Sequence, residues 1–175
     1  MPAEPVIAIE TERLQLRQFT HAEDAFILRL LNDPDWKRFI GDRGVRTLQQ
    51  AHTYIDGLIA TYERHGFGLW LMVRKTDGAA MGMCGLIRRD SLDDPDVGFA
   101  VLPAFRKQGY TTEAAAATLR YAKDVAGLQR VVAITIADNA SSIDVLQRIG
   151  LRFEKKLRLA RDPEELNLYA IEWAE

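Results

Sequence analysis

With one cysteine, Cys84, in 175 residues, no internal disulfide can staple this chain. Cys84 lies between Met83 and Gly85 in an apolar run, the setting of a small buried hydrophobe, and a reducing, cytoplasmic compartment is the expected location. Long hydrophobic runs are missing as well. Nowhere do eighteen apolar residues follow one another, and Met1 to Glu12 has no basic segment leading into an apolar stretch, so neither a membrane span nor a signal peptide is expected. Nor is there an excess of one charge: 23 Lys and Arg against 25 Asp and Glu give a net charge of −2. No overall field then draws the chain to nucleic acid or an anionic membrane, and any anion site must be local. The three histidines, His21, His52 and His65, are far apart and lack metal-ligand spacing, so they are expected to be surface or structural residues, with no metal. Internal repeats, low-complexity linkers and a Gly-x-Ser-x-Gly elbow are absent too.

What remains is an ordinary globular composition, 47% hydrophobic and 27% charged, at a length that suits one domain over residues 1–175. Thr11 to Phe19 alternates through Leu14 and Leu16 as a half-buried strand. Thr20 with Glu23 forms a capping box that opens a helix through Ala22, Phe26 and Leu30, which Asn32, Asp33 and Pro34 end. A second box, Thr47 with Gln50, starts a strongly periodic helix from Ala51 to Tyr62, stopped at His65 and Gly66. Gly68 to Val73, Ala80 to Ile87 and Val97 to Leu102 then read as an antiparallel meander with Asp-Gly and Asp-Pro turns. Gly109 precedes an alanine-rich helix that reaches a stop at Gly127, and Arg130 to Ile136 is a β-branched strand. Asn139 caps a short helix that Gly150 ends, and two strands, Leu151 to Leu159 and Asn167 to Trp173, close the chain. The class is α+β: a mixed, mostly antiparallel sheet of about seven strands, about four helices and a single strand–helix–strand crossover.

The stretch from Val101 to Glu113 has the layout of an anion site. A strand ends, a basic loop with Arg106 and Lys107 follows, and a helix begins at once. Free amides at a helix N-terminus point outward where the helix dipole favours negative charge, and Gly109 has no side chain to keep a phosphate away. Pro103 cannot donate to a sheet ladder, so the strand before it must finish or bulge there. An Arg three residues before a Gly occurs by chance in about one chain of this length in two or three, so the pattern alone is also that of an ordinary helix start with solvated basic residues.

Ala100 to Thr111 resembles the acetyl-coenzyme A motif of the GNAT acetyltransferase superfamily, which runs Arg or Gln, two residues, Gly, one residue, then Gly or Ala. Thr112-Glu113-Ala114, Asn139-Ala140-Ser141-Ser142 with Gly150, Thr11 to Arg17, and Gly68-Leu69-Trp70 resemble the RimJ/RimL-like subfamily that acetylates ribosomal-protein N-termini, so the likeness spans nearly the whole chain. It implies a GNAT-like fold and acetyl-coenzyme A as co-substrate without a metal. It also implies pyrophosphate contacts from Arg106, Lys107, Gln108, Gly109, Tyr110 and Thr111, with Thr112 part of the same coenzyme site, a pantetheine arm along Phe99, Ala100 and Val101, and the thioester between two splayed strands. Asn139 matches the coenzyme-contacting Asn, and Ser142 lies where a hydroxyl approaches the sulfur. The sequence departs from the pattern at three places: Thr111 replaces Gly or Ala, Gln108 stands where a basic or Gly residue is common, and Leu146 occupies the place of a Tyr acid found in some members.

Asp96 matches the acidic residue preceding Gly-aromatic in the subfamily and is the candidate base; its bland alternative is one more member of a solvated acidic loop with Asp90, Asp93 and Asp94. Ser142 is the candidate acid, or else a helix-capping hydroxyl. Trp70 is the candidate wall of the acceptor cleft. The implied activity is transfer of an acetyl group to a primary amine, either a protein N-terminus or a small molecule, by direct attack on the thioester, with a homodimer open through apolar residues of the last strands. A non-catalytic acyl-coenzyme A binding module is the alternative, and a phosphate site of another kind would lack the P-loop pattern.

Overall fold

The computed structural model describes residues 4–159 and 164–174. The chain begins with β1 (Ile7–Glu10) and β2 (Leu14–Arg17), an antiparallel pair. Thr20 and Glu23 close the capping box as the spacing demands, over a 3-10 turn at His21–Glu23 that runs into α1 (Asp24–Leu31). The residues that end α1 also start α2 (Pro34–Phe39): Asp33 accepts the Trp36 amide and Pro34 sits in the first turn, where its missing N–H costs nothing. The capping box of Thr47 and Gln50 opens α3 (Leu48–His65), which ends at Gly66 in the left-handed conformation. Then follow β3 (Leu69–Arg74), β4 (Ala80–Ile87), β5 (Asp96–Val101), α4 (Tyr110–Asp124), β6 (Arg130–Thr135), α5 (Ala140–Arg148), β7 (Arg152–Leu157) and β8 (Leu166–Glu172).

Among the described residues, eight strands form one sheet in the order β1-β2-β3-β4-β5-β6-β8-β7, with β5 and β6 as its parallel neighbours. The expected class and crossover are present, joined by a strand and a helix that sequence patterning did not mark, β1 and α2. The register of β4 against β5 runs unbroken from Gly82↔Val101 to Ile87↔Asp96, so the strand before Pro103 finishes rather than bulges. Alternation along the strands fixes two faces. Trp70 and Cys84 point toward α4, where Trp70 meets Tyr121 edge-on and Cys84 Sγ lies 3.4 Å from Thr118 Oγ1. Leu69, Met83 and Ile87 lie on the opposite face, beside α2 and α3. Among the described residues, no helix is long and apolar enough to cross a membrane.

Candidate active site

β5 and β6 are paired only at Asp96↔Val132, reinforced by the Val132 amide donating to the Pro95 carbonyl at 3.1 Å. Beyond that point they diverge, leaving the β6-facing edge of β5 without a ladder. A cleft of about 980 Å³ occupies this opening. Asp96 to Val101 lie along one wall and Ala133 to Ile136 along the other, and the cleft continues past the start of α4 on one side and to α2 and α3 on the other. Phe99, Ala100, Val101, Arg106, Lys107, Gly109, Tyr110, Thr111, Thr112, Asn139 and Ser142 all line it, and Asp96 is at its apex.

The start of α4 has no side-chain cap. Gly109 is its N-cap at φ +83°, and it offers no side chain to the first-turn amides, in contrast to the capped starts of α2, α3 and α5. An L side chain at Gly109 would be strained by that φ and would lie 3.3 Å from Arg13 Nη2. Lys107 also adopts positive φ, +62°, which turns the loop tightly enough to present the helix end. Thr111 and Thr112 sit on the first turn facing the cleft.

Arg106 reaches the cleft, and each of its three guanidinium nitrogens already makes one contact. Nε donates to the Val101 carbonyl at 3.0 Å, Nη2 pairs with Asp33 at 2.8 Å and Nη1 with Asp35 at 2.5 Å. The residue ties the loop to the start of α2. Gln108 is exposed, with its side-chain amide on the Ala104 carbonyl, and Tyr110 is buried under the Arg13 guanidinium, 4.3 Å from its ring centre.

Two segments whose patterns lie about a hundred residues apart meet here. Glu113 accepts from the Thr11 hydroxyl at 2.6 Å, from the Arg13 amide at 3.0 Å and from Arg13 Nε at 2.6 Å. Arg13 Nη1 in turn donates to the Gln108 carbonyl at 3.0 Å. Burial alone would raise the Glu113 carboxyl, but the hydrogen bonds from Thr11 and Arg13 outweigh it and hold the group below its ordinary value. This clamp fixes the loop before α4 against the start of β2, and its sequence trace is the family likeness of Thr11-Glu12-Arg13 and Thr112-Glu113.

Asp96 stands apart from the acidic loop. It is 2% exposed, while Asp90 and Asp93 are exposed and Asp94 is paired with Arg130. Burial pushes its carboxyl up, opposed by Arg89, whose Nε lies 2.9 Å from Oδ1. Asn139 Oδ1 caps α5 by accepting the Ser142 amide at 3.2 Å, which leaves its NH₂ group for the cleft. The Ser142 hydroxyl is not the cap, and buried Leu146 lines the cleft one turn further on.

Trp70 is not a wall of this cleft. It is 1% exposed on the α4 face, and its neighbour Leu69 takes the lining position, because successive strand residues face opposite ways. The α2 and α3 side is lined instead by Trp36, Phe39, Ile40 and Tyr54, with Arg43 and Arg89 adding charge. Burial raises the Tyr54 phenol, and Arg43 and Arg89 draw it partly back. Cys84 is fully buried, its thiol pushed up to about 12, so it offers no thiolate.

Comparison with known proteins agrees with this geometry. Residues 13–152 match the Acetyltransferase (GNAT) domain. The chain is 24% identical over 168 residues to the uncharacterized N-acetyltransferase YoaA of Bacillus subtilis (strain 168), covering 93% of this chain and 95% of that one. An acetyltransferase structure from Agrobacterium tumefaciens superposes with a TM-score of 0.81 at 22% identity, over 99% and 96% of the two chains. RimL, the ribosomal L7/L12 α-N-protein acetyltransferase, in a structure with coenzyme A, gives 0.75 at 19% identity over 95% and 97%. With most of its length matched to the domain and its sheet opened between β5 and β6, this chain is an acetyltransferase that belongs to the GNAT family.

Proposed function

We propose that the chain transfers the acetyl group of acetyl-coenzyme A to a primary amine, a protein N-terminus or a small-molecule amine, by direct attack on the thioester. The observation that carries this reading is the uncapped, glycine-led start of α4 opening into the same cleft as the buried carboxylate of Asp96. The free amides of Tyr110, Thr111 and Thr112, with the charge of Lys107, receive the pyrophosphate. Arg106 holds the loop with one N–H from each guanidinium nitrogen, and its two further Nη–H groups are left to add to the phosphate contacts. The unpaired edge of β5 from Phe99 to Val101 supplies backbone groups for the pantetheine arm, and a fixed N–H there stabilises negative charge on the carbonyl oxygen.

The amine enters from the α2 and α3 side and must be neutral to attack. An α-amine, near 7.7 to 8.0 in model compounds, needs less help than a lysine near 10.4. As the new C–N bond forms, Asp96 takes the proton that the nitrogen loses, directly or through one water. As the C–S bond breaks, the Ser142 hydroxyl gives a proton to the departing sulfur and is itself reprotonated from solvent. No covalent enzyme intermediate is involved.

The test is thiol release from acetyl-coenzyme A by the purified protein against a panel of peptide N-termini, amino acids, polyamines and aminoglycosides. Release with one amine class, and formation of its amide by mass spectrometry, is the expected result. Absence of release with every amine, in protein that acetyl-coenzyme A stabilises thermally, would overturn the amine acceptor.

A further inference from the structure

The charges that line the cleft are unevenly paired. Each described carboxylate on its walls has a partner: Asp33 and Asp35 hold Arg106, Glu113 holds Arg13, Asp144 holds Arg148, Asp96 holds Arg89, and Glu164 is engaged as well. Two lining cations, Lys107 and Arg43, have no side-chain hydrogen bond or ion pair among the described residues. Lys107 stands at the coenzyme end, and Arg43, a few residues past α2, at the acceptor end. We infer that the acceptor is an amine that also carries a carboxylate, in its simplest form a free α-amino acid, and that Arg43 and Arg89 take that carboxylate. The inference rests on the acetyl transfer proposed above and names its acceptor.

Arg89 joins this site to the proposed base. Its Nε is 2.9 Å from Asp96 Oδ1, which leaves the two Nη nitrogens, a fork that matches a carboxylate, without a partner. The side chain is 30% exposed and lines the cleft, so the fork is open to a ligand. Arg43 and Arg89 both act on the phenol of Tyr54, a cleft residue whose hydroxyl makes no hydrogen bond among the described residues. Trp36, 5% exposed, lines the same side, and its indole N–H is buried with no acceptor. One side of the cleft thus collects donors that meet no acceptor, whereas buried polar groups are normally paired. A carboxylate, whose two oxygens only accept, supplies what they lack.

Position selects the α-carboxylate. In an α-amino acid the carboxylate and the amine share one carbon, so a carboxylate on the Arg89 fork brings the nitrogen beside Asp96, which is bonded to that same guanidinium. The pairing also prepares the amine. A carboxylate next to an ammonium makes it hold its proton more tightly, and guanidiniums that cancel this charge favour the neutral nitrogen that attacks. Trp36, Phe39 and Ile40, three and four residues apart along α2 and its end, share one face and give the acceptor's side chain an apolar wall. A polyamine brings only positive charge, which Arg43 and Arg89 repel. The first residue of a protein has an amide in place of the carboxylate and leaves the two guanidiniums facing one neutral oxygen.

The experiment measures thiol release from acetyl-coenzyme A by the full chain with each of the common amino acids, its amide and its decarboxylated amine. The expected result is at least one amino acid whose kcat/KM exceeds that of its amide and of its decarboxylated amine by about 10²-fold. Arg43→Ala should raise the KM for that amino acid at least tenfold with a smaller change in kcat, and Arg43→Lys should recover part of the loss. Arg88→Ala, at an exposed cation that lines a separate small pocket, should leave the preference as it is. Amides and decarboxylated amines turned over as fast as the parent acids would overturn the inference and leave acetyl transfer to an amine standing. A wild-type preference for the acid in both Arg43→Ala and Arg89→Lys would overturn it too. No release with any amine would strike the amine acceptor itself, and the carboxylate site is then judged by binding. With coenzyme A present, N-acetyl amino acids should raise the melting temperature of the wild type more than their amides do, and equal shifts would overturn the site.

Discussion

Asp96 is subject to two opposed influences: burial favours its neutral form, and the Arg89 guanidinium favours the carboxylate, with burial prevailing. Its protonation on acidification therefore begins above the ordinary 3.8 of a free aspartate. A reaction that uses the carboxylate as base should lose rate as the pH falls through this raised value. Asp96→Asn is expected to lower kcat by about 10²-fold or more, a typical share for general base catalysis, to leave the KM for acetyl-coenzyme A near its wild-type value, and to erase the acidic limb of the pH–rate profile. A wild-type rate and profile in the variant would remove Asp96 from the proton path. At the same scale Trp70 shows how far a sequence pattern reaches. The alternation of its strand was plain from Gly68 to Val73, but which of two neighbouring side chains meets α4 and which meets the cleft depends on α2 and α3 before it and α4 after it, elements that local alternation does not place.

The elements were most legible where their signals are local. Both capping boxes and the Asn139 cap are side-chain to backbone bonds spanning two or three residues, the Gly66 stop is a left-handed glycine whose amide donates to the Tyr62 carbonyl, and each is present. Asn32-Asp33-Pro34 is ambiguous for the same reason: the residues that stop one helix can cap the next, and α2 begins on them. The clamp at α4 was beyond local reading because its partners lie about a hundred residues apart. Its energetic weight can be tested. Glu113→Ala removes the acceptor for the Arg13 amide and the Thr11 hydroxyl, and leaving such half-buried groups unpaired costs about 1–3 kcal/mol. A melting temperature lower by about 4–8 °C at pH 7 is expected for a loss of about 2 kcal/mol in a chain of this size. Because the Glu113 carboxyl is held below its unfolded value, this contribution is present above pH 4.5 and is lost as the pH falls through the folded value, so wild type and variant should converge on acidification. Gly109→Ala acts at the other side of the same helix start. Forcing an L residue to φ +83° costs about 1–2 kcal/mol or shifts the turn, and either outcome moves the first-turn amides. The expected phenotype is a KM for acetyl-coenzyme A raised about tenfold or more, with a smaller change in kcat at saturation. Unchanged coenzyme affinity would mean that the pyrophosphate binds elsewhere.

At the scale of the whole molecule the sheet consists of two antiparallel halves, β1 to β5 and β6 to β8, whose ladder is joined at the single pair Asp96↔Val132. Strand pairing thus leaves the junction weak at the place where the cleft lies, and α4 is the covalent crossover between the halves. A ligand with its phosphates on the start of α4 and its arm along β5 takes up backbone groups of the first half and packs against β6 of the second. Such a ligand should stabilise the whole fold rather than one loop. At a concentration of about 100 times its Kd it adds about 2.7 kcal/mol, which raises the melting temperature by about 5–10 °C. Amide hydrogen exchange distinguishes where the stabilisation arises. Coenzyme A should slow exchange at Phe99 to Val101 and at Tyr110 to Thr112, and should also slow β6, whose only ladder bond to the other half is at the apex. Protection confined to the start of α4 would place the pyrophosphate correctly and put the arm outside the opening between the strands. The chemistry would then have to be sought away from Asp96, because the thioester could not reach the apex at which that carboxylate is buried.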